Sequence, residues 1–241
     1  MGGIISNNII TDGLVLYLDS SNPKSYIIGS TIWNDLSFNK NNGDLINGVS
    51  FSNNSMLFDG VNDYVDLSLL KITPSSFTIE GIFNITNYGS IFSKGFSTIS
   101  DKTINLSFGQ LSTNSLGIEL SAGITSYPYF RSQQLITTGN TYYFSVTITT
   151  GLFGDYRDCI FFINGSYLVS SQTGFTSNSY SIGQNLKYNS NIPYNIGRSN
   201  AYNPPINYFN GSINFIRFYN RILSQNEIQQ NYNATRKRFG L

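Results

Sequence analysis

The sequence contains no histidine, one cysteine and few charged residues. The absence of histidine removes the commonest general base and the commonest metal ligand near neutral pH. A single cysteine, Cys159, cannot form an internal disulfide, which argues against a secreted scaffold held by disulfides. Its apolar neighbours predict that it is buried in a core. No apolar run approaches the roughly 18 residues of a membrane helix.

The shortage of charge excludes further classes of protein. Charged residues make up 11% of the chain, whereas soluble domains average about 25%. The net charge is +1, so no overall field attracts nucleic acid or an anionic membrane. Asparagine supplies much of the polarity instead, with 31 positions. Because asparagine tolerates left-handed backbone conformations, this composition suits a protein built from many turns.

Alternation of apolar and polar residues runs through the chain and predicts β-strands throughout. It is clear over residues 77–85, 103–108 and 142–149, where branched and aromatic residues dominate. No linker, repeat or change of composition divides the chain. Many short strands separated by turns are typical of a double-sheet antiparallel sandwich.

Several dipeptides predict tight turns between these strands. Asn164-Gly165 separates two apolar runs and predicts a two-residue hairpin turn with positive φ at both positions. Asn47-Gly48 and Asn210-Gly211 lie in similar settings. Asp59-Gly60 predicts a slightly longer hairpin loop.

One helix is predicted near the end of the chain, over residues 224–234. Ser224 and Glu227 have the spacing of a capping box, in which each side chain bonds the backbone of the other residue. Ile228 and Tyr232, four positions apart, would form one apolar stripe. We expect this helix to pack against the sandwich and to seal an edge or an end of it.

A series of motifs, taken in order, resembles laminin G-like, concanavalin A-like domains. The resemblance implies a two-sheet antiparallel jelly-roll sandwich over residues 13–241, preceded by an arm at residues 1–12 that lies outside it and serves for attachment. The chain departs from the family pattern at Phe38, where glycine is usual, and at Asn214 and Phe215, where acids are frequent. The matching segments are residues 13–19, 33–48, 58–65, 77–80, 162–165 and 209–228.

Four oxygen-bearing side chains crowd one hairpin and predict a calcium site. Ca²⁺ takes six to eight oxygen ligands from carboxylates, amides and carbonyls. The favoured alternative is that two of them, Asp59 and Asp63, only shape the turn. The four candidate ligands are Asp59, Asn62, Asp63 and Asp66.

Two aromatic clusters are candidates for ligand binding. Carbohydrate sites combine aromatic rings with amide and charged groups, and one cluster places three rings and a guanidinium within five residues. The favoured alternative is that these rings pack against the sandwich or a neighbouring subunit. The candidate residues are Tyr127, Tyr129, Phe130, Arg131 and Tyr202.

Hydrolysis is the least favoured activity for such a domain. Glycoside hydrolysis requires two carboxylates that flank the scissile bond, and the resemblance implies that hydrolases of this fold place them at alternate positions on one strand. The three glutamates, Glu80, Glu119 and Glu227, have no acidic residue two positions away. We therefore expect no enzymatic activity.

The tail at residues 231–241 and the absence of a signal-like N-terminus resemble stand-alone modules of tailed-bacteriophage structural proteins. The resemblance implies a virion surface protein, such as a capsid decoration, fibre or tail-associated protein, assembled in the host cytoplasm. Its partners would be other virion proteins, host-surface glycans and copies of itself, with neither nucleic acid nor membrane insertion. The alternative is a free carbohydrate-binding lectin module, and a glycoside hydrolase ranks third.

Overall fold

The computed structural model describes residues 8–72, 76–95, 102–108, 116–122, 129–132, 136–150, 156–168, 170–172, 192–200 and 207–241. These residues form β-strands over most of the chain and two short helices at its end. In chain order the strands are β1 (Leu14–Asp19), β2 (Ile32–Trp33), β3 (Gly43–Ile46), β4 (Ser50–Ser52), β5 (Ser55–Asp59), β6 (Tyr64–Leu67), β7 (Phe77–Asn87), β8 (Gly89–Lys94), β9 (Lys102–Phe108), β10 (Leu116–Ala122), β11 (Tyr129–Ser132), β12 (Thr141–Thr150), β13 (Tyr156–Ile163), β14 (Ser166–Leu168), β15 (Ser170–Gln172), β16 (Tyr194–Ile196) and β17 (Asn210–Tyr219).

The strands form two antiparallel sheets. The eight-stranded sheet has the order β14-β13-β12-β7-β17-β5-β4, and β1 pairs with β17 beside β5. The nine-stranded sheet has the order β15-β11-β10-β9-β8-β16-β6-β3-β2. The structure thus confirms the predicted two-sheet antiparallel sandwich.

The core lies between the sheets because successive side chains of each strand point to opposite faces. On β7, Phe77, Ile79 and Phe83 are fully buried in the main hydrophobic cluster. The rings of Phe92 on β8 and Phe218 on β17 meet across the two sheets, with centroids 5.5 Å apart. Burial of each such side chain contributes roughly 1.5–3 kcal/mol. Cys159 belongs to the same cluster, as the sequence predicts, and so does Trp33.

The hairpin prediction is confirmed at Asn164-Gly165 and wrong at the other three dipeptides. Asn47-Gly48 and Asp59-Gly60 each join strands of different sheets, so neither closes a hairpin. Asn164 and Gly165 have φ of 50° and 75° and join β13 to β14, as expected for the hairpin. Asn210-Gly211 is not a turn, because both residues lie inside β17 at a register shift against β7. A Cβ on Gly211 would lie 2.2 Å from the carbonyl oxygen of Asn84. Position 211 therefore holds a glycine because the backbones of β17 and β7 approach each other too closely there for a Cβ atom.

The predicted helix is present as α1 (Gln225–Thr235), and a 3₁₀ helix (Arg236–Phe239) follows it. Ser224 is the N-cap and forms the predicted capping box with Glu227. The helix covers the outer face of the eight-stranded sheet rather than an edge or an end. Ile228 packs against Phe162 and Tyr219 on this face. The ring of Tyr232 lies 5.4 Å from that of Tyr143.

The described part of the predicted arm, residues 8–12, is bound to this covered face. The backbone N–H of Ile10 donates to Asn231 on α1 at 2.7 Å, and its carbonyl accepts from the hydroxyl of Tyr219 at 3.1 Å. Asp12 forms an ion pair with Arg221 at 2.8 Å. Residues 1–7 of the arm lie outside the described residues. Over the described ranges, neither helix has the length and apolar character needed to cross a membrane.

Candidate functional site

A row of polar residues crosses the outer face of the nine-stranded sheet. Each member is the direct antiparallel partner of the next, so their side chains lie on one face. The opposite face carries core residues such as Val65, Phe92 and Leu106. From β3 to β9 we call this set the polar row: Asp44, Asp66, Asn195, Ser93 and Asn105.

The centre of the polar row is held rigidly by the segment that follows β16. The hydroxyl of Ser93 lies 2.8 Å from the carbonyl oxygen of Arg198 and 2.9 Å from Oδ1 of Asn200. The Nε of Arg198 donates to Oδ1 of Asn195. Ser93 and Asn195 are both fully buried. The side chains at the centre are therefore fixed in orientation by local hydrogen bonds.

Two buried atoms of the polar row have no hydrogen-bond partner in the described part of the chain. They are Nδ2 of Asn105 and Oδ1 of Asp66. Asn105 is 1% exposed, and its Oδ1 accepts from Ser90 at 2.6 Å, which orients the amide. A buried polar atom without a partner costs about 1–3 kcal/mol. The row thus carries one spare donor and one spare acceptor, on either side of Asn195 and Ser93.

An acidic end and a stacked arginine complete this part of the face. Asp44, which is exposed, stands directly opposite Asp66 on the neighbouring strand. The guanidinium of Arg198 lies 3.4 Å from the centre of the Tyr64 ring. Stacking of this kind combines the apolar ring with charged hydrogen-bond donors. Carboxylates, amides, a guanidinium and a ring therefore meet on one face.

The register extends the polar row towards the sequence-predicted ligand residues. Asn105 pairs with Glu119 on β10, and Glu119 pairs with Tyr129 on β11. Arg131 pairs with Gly117, two positions along from Tyr129, and Phe130 takes the register position between them. By register, Tyr129 takes the position after Glu119 in this line of paired residues, and Arg131 lies two positions further along the same strand. The other two predicted ligand residues, Tyr127 and Tyr202, lie outside the described residues.

The sequence-predicted calcium ligands serve mainly the turn between β5 and β6. Oδ1 of Asp63 accepts from Gly48 N at 2.7 Å, and its Oδ2 accepts from Asp59 N at 3.1 Å. Oδ1 of Asp59 accepts from Val61 N at 2.8 Å and from Asn62 N at 3.2 Å. Backbone hydrogen bonds lower the pKa of Asp59, and the one from Val61 has the largest effect.

The fourth predicted ligand, Asp66, lies on β6 within the polar row rather than in this turn. No group of three or more Asp, Glu, Cys or His side chains in the described ranges is arranged to hold a metal ion. The carboxylates of Asp59 and Asp63 are committed to backbone amides. The calcium site therefore stays a prediction. In the structure, Asp59 and Asp63 have the geometry of a turn.

Glu80 belongs to a buried network on the opposite, helix-covered face. It pairs with Arg217 at 2.9 Å, and both side chains are 0% exposed. It also accepts from Tyr143 at 2.6 Å and from Asn231 at 3.0 Å. Burial, and then the charge of Glu80, raise the pKa of Tyr143 well above its usual value, which keeps this donor protonated. Glu80 is thus fully engaged within the fold.

The polar row itself was not predicted from the sequence. The alternation over residues 103–108 predicted a strand with one polar face, and Asn105 stands on it. That Asn105 meets Ser93, Asn195 and Asp66 depends on the pairing of strands that are far apart in the chain. Strand order, rather than any motif, brings these side chains together.

Residues 59–229 match the family model for the concanavalin A-like lectin/glucanases superfamily, of the laminin G type. The chain belongs to this superfamily. The match covers more than half of the chain, including β6 to β17 and part of α1. The polar row between β6 and β9 therefore lies within the matched superfamily domain. No curated protein sequence matches the chain.

Solved structures agree with this superfamily fold. The chain is similar to domain 4 of AbnA, a GH43 extracellular arabinanase from Geobacillus stearothermophilus, in complex with arabinotriose; the TM-score is 0.63 at 13% identity, covering 92% of this chain and 100% of that one. It is also similar to Trypanosoma rangeli sialidase in complex with the inhibitor DANA, with a TM-score of 0.56, 16% identity and coverage of 93% and 33%. A mutant of the NanB sialidase from Streptococcus pneumoniae gives 0.50 at 16% identity, with coverage of 73% and 27%. The chain thus spans about a third or less of each sialidase, and these likenesses show the fold alone.

Proposed function

We propose that this chain is a non-catalytic carbohydrate-binding domain, and that the sugar lies along the polar row. The observation that carries the proposal is the pair of unpartnered buried atoms, the donor of Asn105 and the acceptor of Asp66. They are three strand spacings apart, roughly 14 Å, with the rigid centre of Asn195 and Ser93 between them. Sugar hydroxyls both donate and accept hydrogen bonds, so an oligosaccharide that spans this distance and reaches both buried atoms would satisfy them together.

The surroundings of the polar row support this ligand class. Binding sites position their ligands with a few oriented polar groups next to rings. Here the amides are oriented by Ser90 and Arg198, and Arg198 stacks on Tyr64. The superfamily match and the domain 4 complex with arabinotriose make saccharides the first probes to use.

Binding is tested by titration calorimetry with arabinotriose and with 3′-sialyllactose. Asn105→Leu removes the spare donor while keeping the side-chain size, and we expect about 5-fold weaker binding, because one well-placed hydrogen bond contributes about 1 kcal/mol. The matched control is Asn226→Leu, at an exposed asparagine on α1. Equal affinity of the two variants would exclude the polar row as the site.

The expected absence of catalysis is a separate part of the proposal. It is supported by the commitment of Glu80 to the buried network and of Glu227 to the helix cap. One observation favours hydrolysis, namely the direct opposition of Asp44 and Asp66, since such pairs have Cβ atoms about 4.5–5.5 Å apart. If the protein released reducing sugar from arabinan and Asp66→Asn lost this activity, the chain would be a hydrolase and the proposed absence of catalysis would be wrong.

We propose further that the polar row is displayed on a phage particle, as the resemblance of the tail implies. The support is that residues 231–241 pack onto the eight-stranded sheet through Tyr232, Phe239 and Leu241. The opposite, nine-stranded sheet is then left to face a host glycan. Copurification of the protein with particles through a density gradient tests this setting. Removal of residues 1–11 should abolish incorporation, and unaltered incorporation would rule out the arm as the attachment.

A further inference from the structure

A polar cavity of about 440 Å³ lies on the outer face of the eight-stranded sheet, opposite the face that carries the polar row. Its floor is formed by Thr141, Asn84 and Ser212, which are direct partners on β12, β7 and β17. One wall is the turn between β4 and β5, and the other is the end of the 3₁₀ helix at residues 238–240. We call this cavity the tail pocket. Its volume falls within the range of about 300–1,000 Å³ that is typical of small-molecule sites.

Two asparagine side chains of the tail pocket are fixed by their amide nitrogens. Nδ2 of Asn84 donates to the carbonyl of Gly139 at 2.7 Å. Nδ2 of Asn214 donates to the carbonyl of Asn54 at 3.1 Å and to the hydroxyl of Ser55 at 2.7 Å. In the described part of the chain, neither Oδ1 accepts a hydrogen bond from another residue. The pocket thus presents two oriented acceptors that the fold itself does not use.

The wall at the end of the 3₁₀ helix adds donors and a ring without adding net charge. The guanidinium of Arg238 lies 4.5 Å from the centre of the Phe239 ring. The same guanidinium pairs with Asp19, whose carboxylate is fully buried. Because Arg238 forms five N–H donors and pairs with one acid, it keeps donors for a ligand while its charge is balanced.

We propose that the tail pocket is a second carbohydrate site, which takes one neutral sugar residue. Oriented amide acceptors, the hydroxyls of Ser212 and Thr141 and guanidinium donors together match a ring that carries several hydroxyls. The balanced charge of Arg238 disfavours a phosphate or another strong anion. The site is independent of the polar row, since the two lie on opposite faces of the sandwich.

Two sites on opposite faces would change how the domain binds a glycan surface. A repeating polysaccharide offers many equivalent sugar units. When a domain is bound to such a surface through one site, the concentration of sugar units near its other site is raised. One domain would then join two chains of a polysaccharide rather than hold one. Cross-linking is therefore a property that the polar row alone does not provide.

The location is tested by ¹⁵N-resolved NMR titration of the intact protein. The probes are the methyl glycosides of glucose, galactose, mannose, N-acetylglucosamine and arabinose, with sialic acid as an anionic comparison. We expect at least one neutral probe to shift the side-chain amides of Asn84 and Asn214 and the backbone amide of Gly240. Sialic acid should shift these signals less.

Asn84→Ala removes one acceptor. It should weaken binding of the sugar that shifts the pocket signals by about 3- to 10-fold. The exposed cation next to the pocket, Lys237, supplies a matched control as Lys237→Ala, which should bind as the unaltered protein does. Asn105→Leu should leave the pocket's shifts intact, which separates a failure at one site from a failure at the other. Shifts confined to the polar row, or no shift at Asn84, Asn214 and Gly240 with any probe, would overturn the tail-pocket site.

Discussion

The two outer faces of the sandwich differ in how their central carboxylates are paired. On the helix-covered face, Glu80 is bound by Arg217, Tyr143 and Asn231 and is sealed from water by α1. On the face of the polar row, Asn105 and Asp66 are also buried at their polar atoms, but one atom of each has no partner within the described residues. Over the same described ranges, the covered face also leaves two buried atoms without a partner, Nε of Arg217 and Oγ of Ser145, but its buried carboxylate is fully engaged, whereas that of Asp66 is not.

The difference separates stability from binding. A buried network of hydrogen-bonded charged groups fixes one arrangement of its strands and helix, and the removal of one member leaves the others without partners. A row with spare hydrogen-bonding atoms contributes less to the fold and gains from an added ligand. Substitutions on the covered face should therefore change the free energy of unfolding, whereas substitutions in the polar row should change affinity.

The largest effect is expected from Arg217→Met. It leaves the buried carboxylate of Glu80 without its charge partner, which typically costs about 3–5 kcal/mol. The rings of Tyr17 and Phe215, 4.5 Å and 4.3 Å from the guanidinium, would also lose their cation contact. Chemical denaturation measures the change in the free energy of unfolding.

The double variant Glu80→Leu with Arg217→Met provides the control for this experiment. It removes both charges, so it should recover a large part of the loss in the single variant. If Arg217→Met cost less than about 1 kcal/mol, burial of the ion pair would not be what stabilises this face.

A smaller loss, of about 2 kcal/mol, is expected from Asn231→Ala. Its amide bonds Glu80 at 3.0 Å and Tyr219 at 3.1 Å, and its oxygen accepts from Ile10 at 2.7 Å. Three buried groups thus lose a partner. Hydrogen exchange should show that residues 8–12 are released together with α1. The control is Asn226→Ala, which is exposed on the same helix, and equal protection in both variants would argue against this coupling.

Acid should weaken the helix cap by about 1 kcal/mol or less. The ion pair with Arg221 lowers the pKa of Glu227 from 4.5 to about 2. Because the folded pKa lies below the unfolded value, the stabilisation is complete above about pH 4.5 and is lost as the pH falls towards 2. Denaturation curves of Glu227→Gln should show less pH dependence over this interval than those of the unaltered protein. An identical pH dependence would exclude Glu227 as its source.

The sequence predicted features that depend on neighbouring residues. The capping box of Ser224 and Glu227 and the Asn164-Gly165 hairpin follow from local geometry, and the structure has both. Asn210-Gly211 was wrong as a turn, because the glycine is required by contact with Asn84, which is 127 positions earlier in strand β7. The polar row likewise depends on which strands become neighbours, and no local pattern encodes that order.

The smallest change in stability, and the sharpest contrast with Arg217, is expected for Asp66→Asn. Like charges directly opposite each other are destabilising in a sheet. Removing the charge of Asp66 relieves its repulsion with Asp44, and this gain offsets the favourable hydration that the carboxylate loses. The free energy of unfolding should change by less than about 0.5 kcal/mol, as expected for a partly exposed position. Arabinotriose affinity should fall about 10-fold, since the spare acceptor becomes a weaker neutral one. A large loss of stability with unchanged affinity would mean that Asp66 belongs to the fold in the way that Glu80 does, and the distinction between the two faces would fail.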